Sequence, residues 1–491
     1  MSSTSPAPTT AEFGVIGLGV MGANLALNIV DHGFTVAVWN QTRAKVHQLL
    51  ARHRDNVRLR GADTLDEFTR MLALPRRVVM LVKAGAPVDE MLERLTPHLV
   101  PGDIVVDGGN SFFRDTQRRD AAMRSRGLSF VGMGVSGGEE GARTGPSLMP
   151  GGALDAYERL RPMLEAIAAK TESGPSVTYV GPDGAGHYVK MVHNGIEYGI
   201  MQAIAEAYDL LRRGLDRPAA EVAGIFADWN RGPLESYLID VAAQVLAARD
   251  PETGNPLVEM ILDQAGQKGT GQWTVRSALD LGLPVPTIAA AVDARVLSSM
   301  KSERMNASSL LRSATSGRVS EPVRELIPAV HDALRATMVC CYAQGLSLLR
   351  AASDAYGWHV KLREIARIWK GGCIIRARLL DTLMRAFERA PALPNLLLDP
   401  DVREWLAEAE SGWRRTILAG TAAGIPVPAM AASVAYFDSY RTARLPQNLT
   451  QAQRDYFGAH TYQRVDRAEA GFVHTDWLSL REGERTAKGT R

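Results

Sequence analysis

Four polar residues near the middle of the chain have the types and the spacing of a catalytic surface. They are an amine, an imidazole, an amide and a carboxylate, at Lys190, His193, Asn194 and Glu197. Because their spacing is i, i+3, i+4 and i+7, an α-helix would place all of them on one face. The residues around them are mostly apolar, the reverse of a surface helix. We therefore predict that this helix faces something polar inside the protein and forms the catalytic wall of a cleft.

Two glycines in the same stretch weaken the predicted helix. Gly195 and Gly199 each cost roughly 1 kcal/mol relative to alanine in a helix interior. That cost is easier to understand if another backbone or a ligand approaches the helix closely there.

The elements that must position this helix begin near the N-terminus with a dinucleotide-binding pattern. A short apolar run, Phe13 to Ile16, precedes GLGVMG, an amphipathic helical pattern follows, and Phe34 to Trp39 indicates a second strand. In such a βαβ unit the first glycine permits the turn, the second lets the backbone approach a pyrophosphate and the third lets helix and strand pack. A glycine turn without a ligand is the alternative. The predicted cofactor contacts in this turn are Gly17, Leu18, Gly19, Val20, Met21 and Gly22.

The end of the second strand indicates which cofactor binds. An NAD site usually has an acidic residue there for the ribose 2′-hydroxyl. This chain has Asn40, Gln41, Thr42 and Arg43 instead. These side chains can donate to a 2′-phosphate, which a carboxylate would repel, so NADP is favoured over NAD. The alternative is a polar loop that binds nothing.

Further predicted strands end in loops that suit ligands. Val78 to Val82 leads into LVKAG and Ile104 to Asp107 leads into DGGNS, and ligands collect at the carboxyl ends of parallel strands. The resulting candidates are Val82, Lys83, Ala84 and Asn110. After a strand at Leu128 to Val131, Ser136, Gly137 and Gly138 offer a hydroxyl and exposed N–H groups to an anion, although a flexible hairpin is equally consistent. A helix at Leu154 to Ile167 and a strand at Val177 to Val180 complete this part.

From Gly184 onward the pattern is helical. Lys268 and Thr270 lie in a glycine turn and could hold a phosphate, and Arg295 could clamp it, although a loop lysine and a surface arginine explain the same pattern. The turn does not fit the P-loop motif. The segment Ile368 to Arg376 is predicted to pack helices, and its charges need no functional role. The chain from Pro446 onward has too little apolar content for its own core, so we expect it to dock on another surface or remain mobile.

Length and composition fix the broad class. At 491 residues the chain should form two or three domains. We predict a disordered segment at 1–10, an α/β Rossmann-like domain at 11–184, a large all-α domain at 185–442, and a C-terminal tail at 443–491 with disordered last residues. A net charge of +2 gives no reason to expect nucleic acid or a membrane surface.

The cysteines and the hydropathy pattern indicate where the protein works. Cys340, Cys341 and Cys373 form neither a CxxC pair nor an even framework, which is typical of reduced, buried thiols and not of a metal site. No signal peptide and no apolar run of about 20 residues is present. We expect a soluble cytoplasmic protein without a metal ion.

Taken together, the motifs resemble the decarboxylating 6-phosphogluconate dehydrogenase family in its long form. The resemblance runs from about Phe13 to Trp477 through GLGVMG, LVKAG, DGGNS, VSGGEEGAR, GAGHYVKMVHNGIEY, AGQKGTGQW, LSS, GGCIIR and QAQRDYFGAHTY. It implies NADP-dependent oxidative decarboxylation of 6-phosphogluconate to ribulose 5-phosphate in the pentose phosphate pathway. It also implies a homodimer in which the tail of each subunit threads into the other.

The resemblance further implies roles for individual residues. Lys190 would be the base on the C3 hydroxyl and then the acid that assists decarboxylation, and Glu197 would protonate C1 of the enediol. Residues around the C1 carboxylate and the hydroxyls would be Asn110, Ser136, Gly137, Gly138, His193 and Asn194. Residues around the phosphate would be Tyr198, Lys268, Thr270 and Arg295, with Arg454 and His460 from the partner subunit.

One departure from the family pattern concerns the cofactor. The family commonly has arginine where this chain has Gln41. Unless Arg43 substitutes for the missing cation, this departure predicts weaker NADP selectivity or use of NAD as well. The alternatives to this function are a non-decarboxylating β-hydroxyacid dehydrogenase and a nucleotide-binding regulator that has lost catalysis.

Overall fold

The computed structural model describes residues 10–311 and 314–480. These residues form two compact units, one that ends at Val434 and one that begins at Ala435. We describe each unit by itself. The predicted disorder at residues 1–9 and 481–491 lies outside the described residues.

The N-terminal part of the first unit is built on a seven-stranded sheet of order β3-β2-β1-β4-β5-β6-β7. Its strands are β1 (Phe13–Ile16), β2 (Val36–Trp39), β3 (Leu59–Gly61), β4 (Arg77–Met80), β5 (Ile104–Asp107), β6 (Ser129–Ser136) and β7 (Ser147–Gly152). The first six are parallel and β7 is antiparallel to β6. Since β1 lies between β2 and β4, the strand order reverses there, and the crevice at the carboxyl ends of β1 and β4 is the expected place for a ligand.

Seven helices accompany this sheet and bury its apolar strands on both faces. They are α1 (Val20–Asp31), α2 (Arg43–Arg52), α3 (Leu65–Arg70), α4 (Ala86–Leu95), α5 (Phe113–Arg124), α6 (Gly138–Thr144) and α7 (Leu154–Ile167). A 3-10 turn at Thr96–His98 and the short antiparallel pair β8 (Lys170–Thr171) and β9 (Gly174–Pro175) complete it.

Helices dominate the rest of the first unit. They are α8 (Ala185–Asp209), α9 (Ala219–Trp229), α10 (Tyr237–Ala247), α11 (Leu257–Met260), α12 (Thr270–Asp280), α13 (Pro286–Ser299), α14 (Lys301–Leu310), α15 (Val323–Tyr356), α16 (Leu362–Ile368), α17 (Leu379–Arg389) and α18 (Pro400–Ala423), with a π turn at Leu210–Gly214 and a 3-10 turn at Leu396–Leu398. The next helix, α19 (Pro428–Arg441), begins in the first unit and ends in the second. Helix α8 packs against β6, β7, α12, α13 and α15. Within the described ranges, no helix is long and apolar enough to cross a membrane.

These elements confirm the predicted fold class, a Rossmann-like domain followed by a large helical domain. The predicted domain boundaries at residues 184 and 442 stay predictions.

The second unit is small and organised around a buried carboxylate. It contains α20 (Gln447–Gly458), a 3-10 turn at Ala468–Ala470, and the antiparallel pair β10 (Tyr462–Gln463) and β11 (Phe472–Val473). Asp455 on α20 is buried and accepts hydrogen bonds from the Thr461 N–H, the Thr475 N–H and Trp477 Nε1 at 2.9 to 3.0 Å. Large apolar side chains such as Phe457 and Phe472 remain exposed. Polar bonds to one carboxylate therefore tie the ends of this segment together.

The structure contradicts one predicted strand and defines two segments that the sequence left open. Residues 177–180 form no strand, because only Val177 pairs with the sheet, as an isolated bridge to Leu148. Ser136 ends β6 and Gly138 begins α6, so this segment is a strand-to-helix turn and not a flexible hairpin. The segment Ile368 to Arg376 leaves α16 as an irregular loop, because Gly372 adopts a left-handed φ of 63° where a helix cannot continue.

Candidate active site

Helix α8 brings the four predicted polar residues together. The Lys190 Nζ lies 3.5 Å from His193 Nδ1, and His193 Nε2 lies 3.2 Å from the Ser136 hydroxyl at the end of β6. The amide of Asn194 donates to the Thr270 hydroxyl at 3.2 Å. Glu197 Oε2 lies 3.8 Å from His193 Nδ1. The imidazole thus lies at the centre of a polar row that joins the sheet to α12.

Burial sets the protonation of this row. Desolvation lowers the pKa of Lys190, although Glu197 and Cys373 oppose the shift. It lowers the pKa of His193 well below its usual value, and the nearby Lys190 adds to this effect. For Glu197 the same desolvation raises the pKa against the opposing charges of Lys190 and Arg295. The site therefore favours a neutral amine and a protonated carboxyl group much more than water does.

Close backbone contact fixes α8 on the sheet. A methyl group built on Gly186 would lie 2.0 Å from the Gly132 carbonyl oxygen of β6, and one on Gly134 would lie 2.5 Å from Cβ of Lys190. These distances are shorter than any real contact. The helix that carries the lysine therefore lies directly on β6, a placement that requires glycine at these positions.

The two glycines predicted to meet a backbone or a ligand instead meet side chains. A methyl group on Gly195 would lie 2.6 Å from Cγ2 of Thr274 on α12, and one on Gly199 would lie 2.5 Å from Sγ of Cys341 on α15. The Thr274 hydroxyl also donates to the Met191 carbonyl at 2.9 Å. These glycines serve helix packing.

The irregular loop after α16 closes one side of the site, which the sequence did not predict. The N–H of Ser147 donates to the Gly372 carbonyl at 2.8 Å, and the same carbonyl lies 2.6 Å from where a Cβ of Gly137 would be. The next residue, Cys373, is buried, and its thiol contacts the Trp369 carbonyl at 3.0 Å. The apolar and glycine residues of GGCIIR predict packing, but they do not indicate that this loop contacts the Ser-Gly-Gly turn.

A second cleft lies next to the polar row, with a volume of about 740 Å³. Of the predicted residues it brings together Gly19, Val20, Met21, Gly22, Val82, Lys83, Ala84, Asn110 and Lys268. Phe112 and Trp273, 5.1 Å apart between ring centroids, line it from the two parts of the chain. The predicted cofactor residues Gly17 and Leu18, and residues 40–43 in the loop after β2, are not part of this lining.

The glycine turn fits the phosphates of a dinucleotide. Gly17 has a φ of 94°, which L-residues rarely adopt. No atom lies within 4 Å of a Cβ built on Gly19, whereas one on Gly22 would lie 1.8 Å from the Gly17 carbonyl oxygen. No side chain caps the first turn of α1, so its N–H groups are available to an anion.

A buried arginine that the sequence did not indicate supports both loops of this cleft. Arg119 on α5 bonds Asp89 of α4 through Nε and Nη2 at 2.9 and 2.8 Å, and its Nη2 donates to the Gly85 carbonyl at 3.0 Å. Its Nη1 lies 3.7 Å from Asp107, which accepts from the Ser111 hydroxyl at 2.6 Å. Arg119 therefore ties LVKAG to the DGGNS loop that carries Asn110.

Of the predicted phosphate-binding residues, the structure brings together Tyr198 of α8 and Arg295 of α13. The Arg295 guanidinium lies 3.4 Å from the ring centroid of Tyr198 and donates to the Gly266 carbonyl at 3.3 Å. Thr270 is buried beside Asn194 and Lys268 is exposed. The remaining pair, Arg454 and His460, belongs to the second unit and is exposed there.

The loop after β2, residues 40–43, is the predicted 2′ loop, and it is held by hydrogen bonds of Asn40. The Leu18 N–H donates to Asn40 Oδ1 at 2.8 Å, and Asn40 Nδ2 donates to the Thr42 carbonyl at 3.1 Å. Asn40 therefore holds the two cofactor loops together, while Gln41, Thr42 and Arg43 are exposed.

The chain is similar to known proteins over nearly its whole length. Residues 12–181 match the family model described as the NAD binding domain of 6-phosphogluconate dehydrogenase, and residues 186–477 match its C-terminal domain. The chain is 52% identical to the decarboxylating 6-phosphogluconate dehydrogenase of Synechocystis over 96% of this chain and 98% of that protein. It is 50% identical to the NADP(+)-dependent decarboxylating enzyme of Bacillus subtilis over 95% of this chain and 99% of that protein.

A solved structure is similar over nearly the whole chain. The 6-phosphogluconate dehydrogenase of Plasmodium falciparum, studied alone, with NADP+ and with 6-phosphogluconate, superposes with a TM-score of 0.91 at 42% identity, over 95% of this chain and 100% of that one.

Proposed function

The chain belongs to the 6-phosphogluconate dehydrogenase family, and we propose that the polar row on α8 performs the proton transfers of its reaction. It is an NADP-dependent enzyme that oxidises and decarboxylates 6-phosphogluconate to ribulose 5-phosphate. The single observation that carries the residue assignments is that buried Lys190 and partly buried Glu197, two helical turns apart on α8, both lie within 4 Å of His193 Nδ1.

Lys190 acts first as the general base. Oxidation at C3 of the substrate requires removal of the hydroxyl proton while NADP, when bound, accepts the hydride. A neutral amine can take this proton, and burial favours the neutral amine at Lys190 by lowering its pKa. The packing of α8 on β6 fixes this amine next to the cofactor cleft.

Lys190 then acts as an acid. Once it holds the proton, its ammonium group can donate to the C3 carbonyl of the β-keto acid. The electron pair of the C1–C2 bond then moves to form the enediol as carbon dioxide leaves.

Glu197 supplies the last proton. A carboxyl group can protonate the enediol carbon only if it holds its proton, and burial raises the pKa of Glu197. Its carboxylate lies 3.8 Å from His193 Nδ1, and the Lys190 amine lies 3.5 Å from the same atom. The two groups can therefore act on neighbouring carbons of one substrate.

The remaining polar groups orient the substrate. We assign the C1 carboxylate and the hydroxyls to Asn110, Ser136, Gly137, Gly138, His193 and Asn194. We assign the phosphate to Tyr198, Lys268, Thr270 and Arg295. The contacts between Ser136 and His193 and between Asn194 and Thr270 support one continuous binding surface.

The active unit is a homodimer in which each tail completes the partner's site with Arg454 and His460. The composition of the tail supports this proposal, because Phe457, Phe472 and Leu480 are exposed in the single chain and would be buried against another surface. We also propose a cytoplasmic location, supported by the three buried free thiols.

The test follows cofactor reduction and carbon dioxide release together, with 6-phosphogluconate as substrate and Lys190→Met as the variant. We expect matched reduction and release in the native enzyme, and loss of both in the variant with NADPH binding retained. Lys361→Met removes an exposed lysine and serves as the control. Activity in Lys190→Met above about one hundredth of the native value would refute the assignment of the base.

A further inference from the structure

The loop after β2, residues 40–43, is in contact with a cation that comes from another element. Helix α4 places Arg94 over the last residue of β2, with its Cζ 5.3 Å from the ring centroid of Trp39. The Nη1 of Arg94 donates to Gln41 Oε1. The residue that replaces the usual family arginine is therefore itself bonded to an arginine from another element.

The position of Arg94 is fixed by buried neighbours on its own helix. Val88, Met91 and Leu95 of α4 belong to the same apolar core as Trp39. The loop that begins α4, Val82 to Gly85, lines the cofactor cleft. Helix α4 thus runs from the lining of the cleft to the loop after β2, and it holds Arg94 at that loop.

The charge of Arg94 is available to an anion. Among the described residues, no carboxylate lies within ion-pairing distance of Arg94, and its hydrogen-bond partner is a neutral amide. Because Gln41 directs its carbonyl oxygen toward Arg94, the N–H groups of its amide are free to donate elsewhere. The side chain of Asn40 is already used within the loop. The pair Gln41–Arg94 therefore offers what a single arginine at position 41 would offer, one positive charge and several donors.

We propose that Arg94 is a specificity-determining residue that supplies the positive charge for the 2′-phosphate of NADP, in place of an arginine at position 41. The inference rests on the proposed use of NADP by this chain. It predicts that the enzyme prefers NADP strongly despite Gln41, in contrast to the weaker preference expected from the sequence.

The test measures binding by titration calorimetry on the full-length protein with two probes, adenosine 2′,5′-bisphosphate and 5′-AMP. For Arg94→Gln we expect about tenfold weaker binding of the bisphosphate, equivalent to about 1.4 kcal/mol, and unchanged binding of AMP. Because Arg94 is exposed, the difference between the probes should shrink at high salt. Arg159→Gln, the same change on an exposed residue of α7, is the control.

A second variant tests the substitution of one arginine for the other. Adding Gln41→Arg to Arg94→Gln should restore the preference for the bisphosphate. An unchanged preference in Arg94→Gln, or equal weakening with both probes, would overturn the inference. So would a selective loss in Arg43→Gln that Arg94→Gln does not share. If the native protein bound neither probe, the proposed use of NADP would fall together with this inference.

Discussion

Replacement of Arg119 by methionine tests whether one buried cation holds the two loops of the cofactor cleft together. Methionine keeps much of the apolar stem and removes the guanidinium. The change leaves the carboxylate of Asp107, whose side chain is fully buried, without its nearest cation. It also removes the two bonds to Asp89 and the bond to the Gly85 carbonyl.

The magnitude follows from the burial of each partner. Breaking a buried ion pair by removing one member costs about 3 to 5 kcal/mol. Asp89 has a side chain that is 34% exposed and also pairs with Arg118, so water and Arg118 partly replace Arg119 there. Asp107 keeps its bonds from Gly109 and Ser111. We therefore expect a loss of about 3 kcal/mol in the free energy of unfolding, at the lower end of that range.

The pH dependence of stability should change as well. The hydrogen bond from Arg119 lowers the pKa of Asp89 from 3.8 to about 2, with a smaller contribution from Arg118. A lowered native pKa stabilises the fold above the unfolded value of 3.8, and this stabilisation is lost as pH falls through about 2. In Arg119→Met the pKa of Asp89 should return toward its ordinary value, so stability should vary less between pH 4 and pH 2 than in the native protein.

Urea unfolding of Arg119→Met and Arg118→Met provides the assay and its control. Arg118 is the neighbouring residue and pairs with the same aspartate, but its side chain is 58% exposed, so we expect a loss below about 1 kcal/mol. Arg119→Met should also lower kcat/KM by about a hundredfold, since a shift of about 1 Å in the loop that carries Asn110 has that effect. Arg119→Lys should recover part of both losses. Equal stability of the Arg119 and Arg118 variants would refute the reasoning.

Two further predictions concern α8. Glu197→Gln should lower kcat by about 10² to 10⁴, because an amide cannot protonate carbon. The decline of activity that accompanies ionisation of Glu197 at rising pH should also disappear from the pH profile of this variant. Glu90→Gln, a change on the exposed surface of α4, is the control, and a native kcat in Glu197→Gln would remove this residue from the mechanism. Gly186→Ala should destabilise the protein by about 3 kcal/mol or more, since its methyl group would lie 2.0 Å from the Gly132 carbonyl oxygen. The control Gly224→Ala meets no atom within 4 Å and should stabilise α9 slightly. Equal stability of the two variants in denaturant unfolding would contradict the close packing of α8 on β6.

The predictions that agreed with the structure rest on local periodicity. Strand β5 and helix α7 have the bounds that the sequence predicted, because a buried strand and an amphipathic helix are set by neighbouring residues. The sequence did not predict the backbone where long-range contacts decide it. Residues 177–180 run along β7 without a regular ladder. The conformation of the loop at Gly372 depends on its contact with the Ser-Gly-Gly turn. Neither partner is near in sequence.

The sequence by itself determined the polar face of α8 and the glycine turn before α1, because helix geometry and glycine conformations depend on residues only a few positions apart. Only the tertiary structure decided which distant groups support them. Arg119 reaches Asp89 across 30 residues and Arg94 reaches Gln41 across 53, through the strand order of the sheet. Such contacts have no period in the sequence, since they depend on how elements pack in three dimensions.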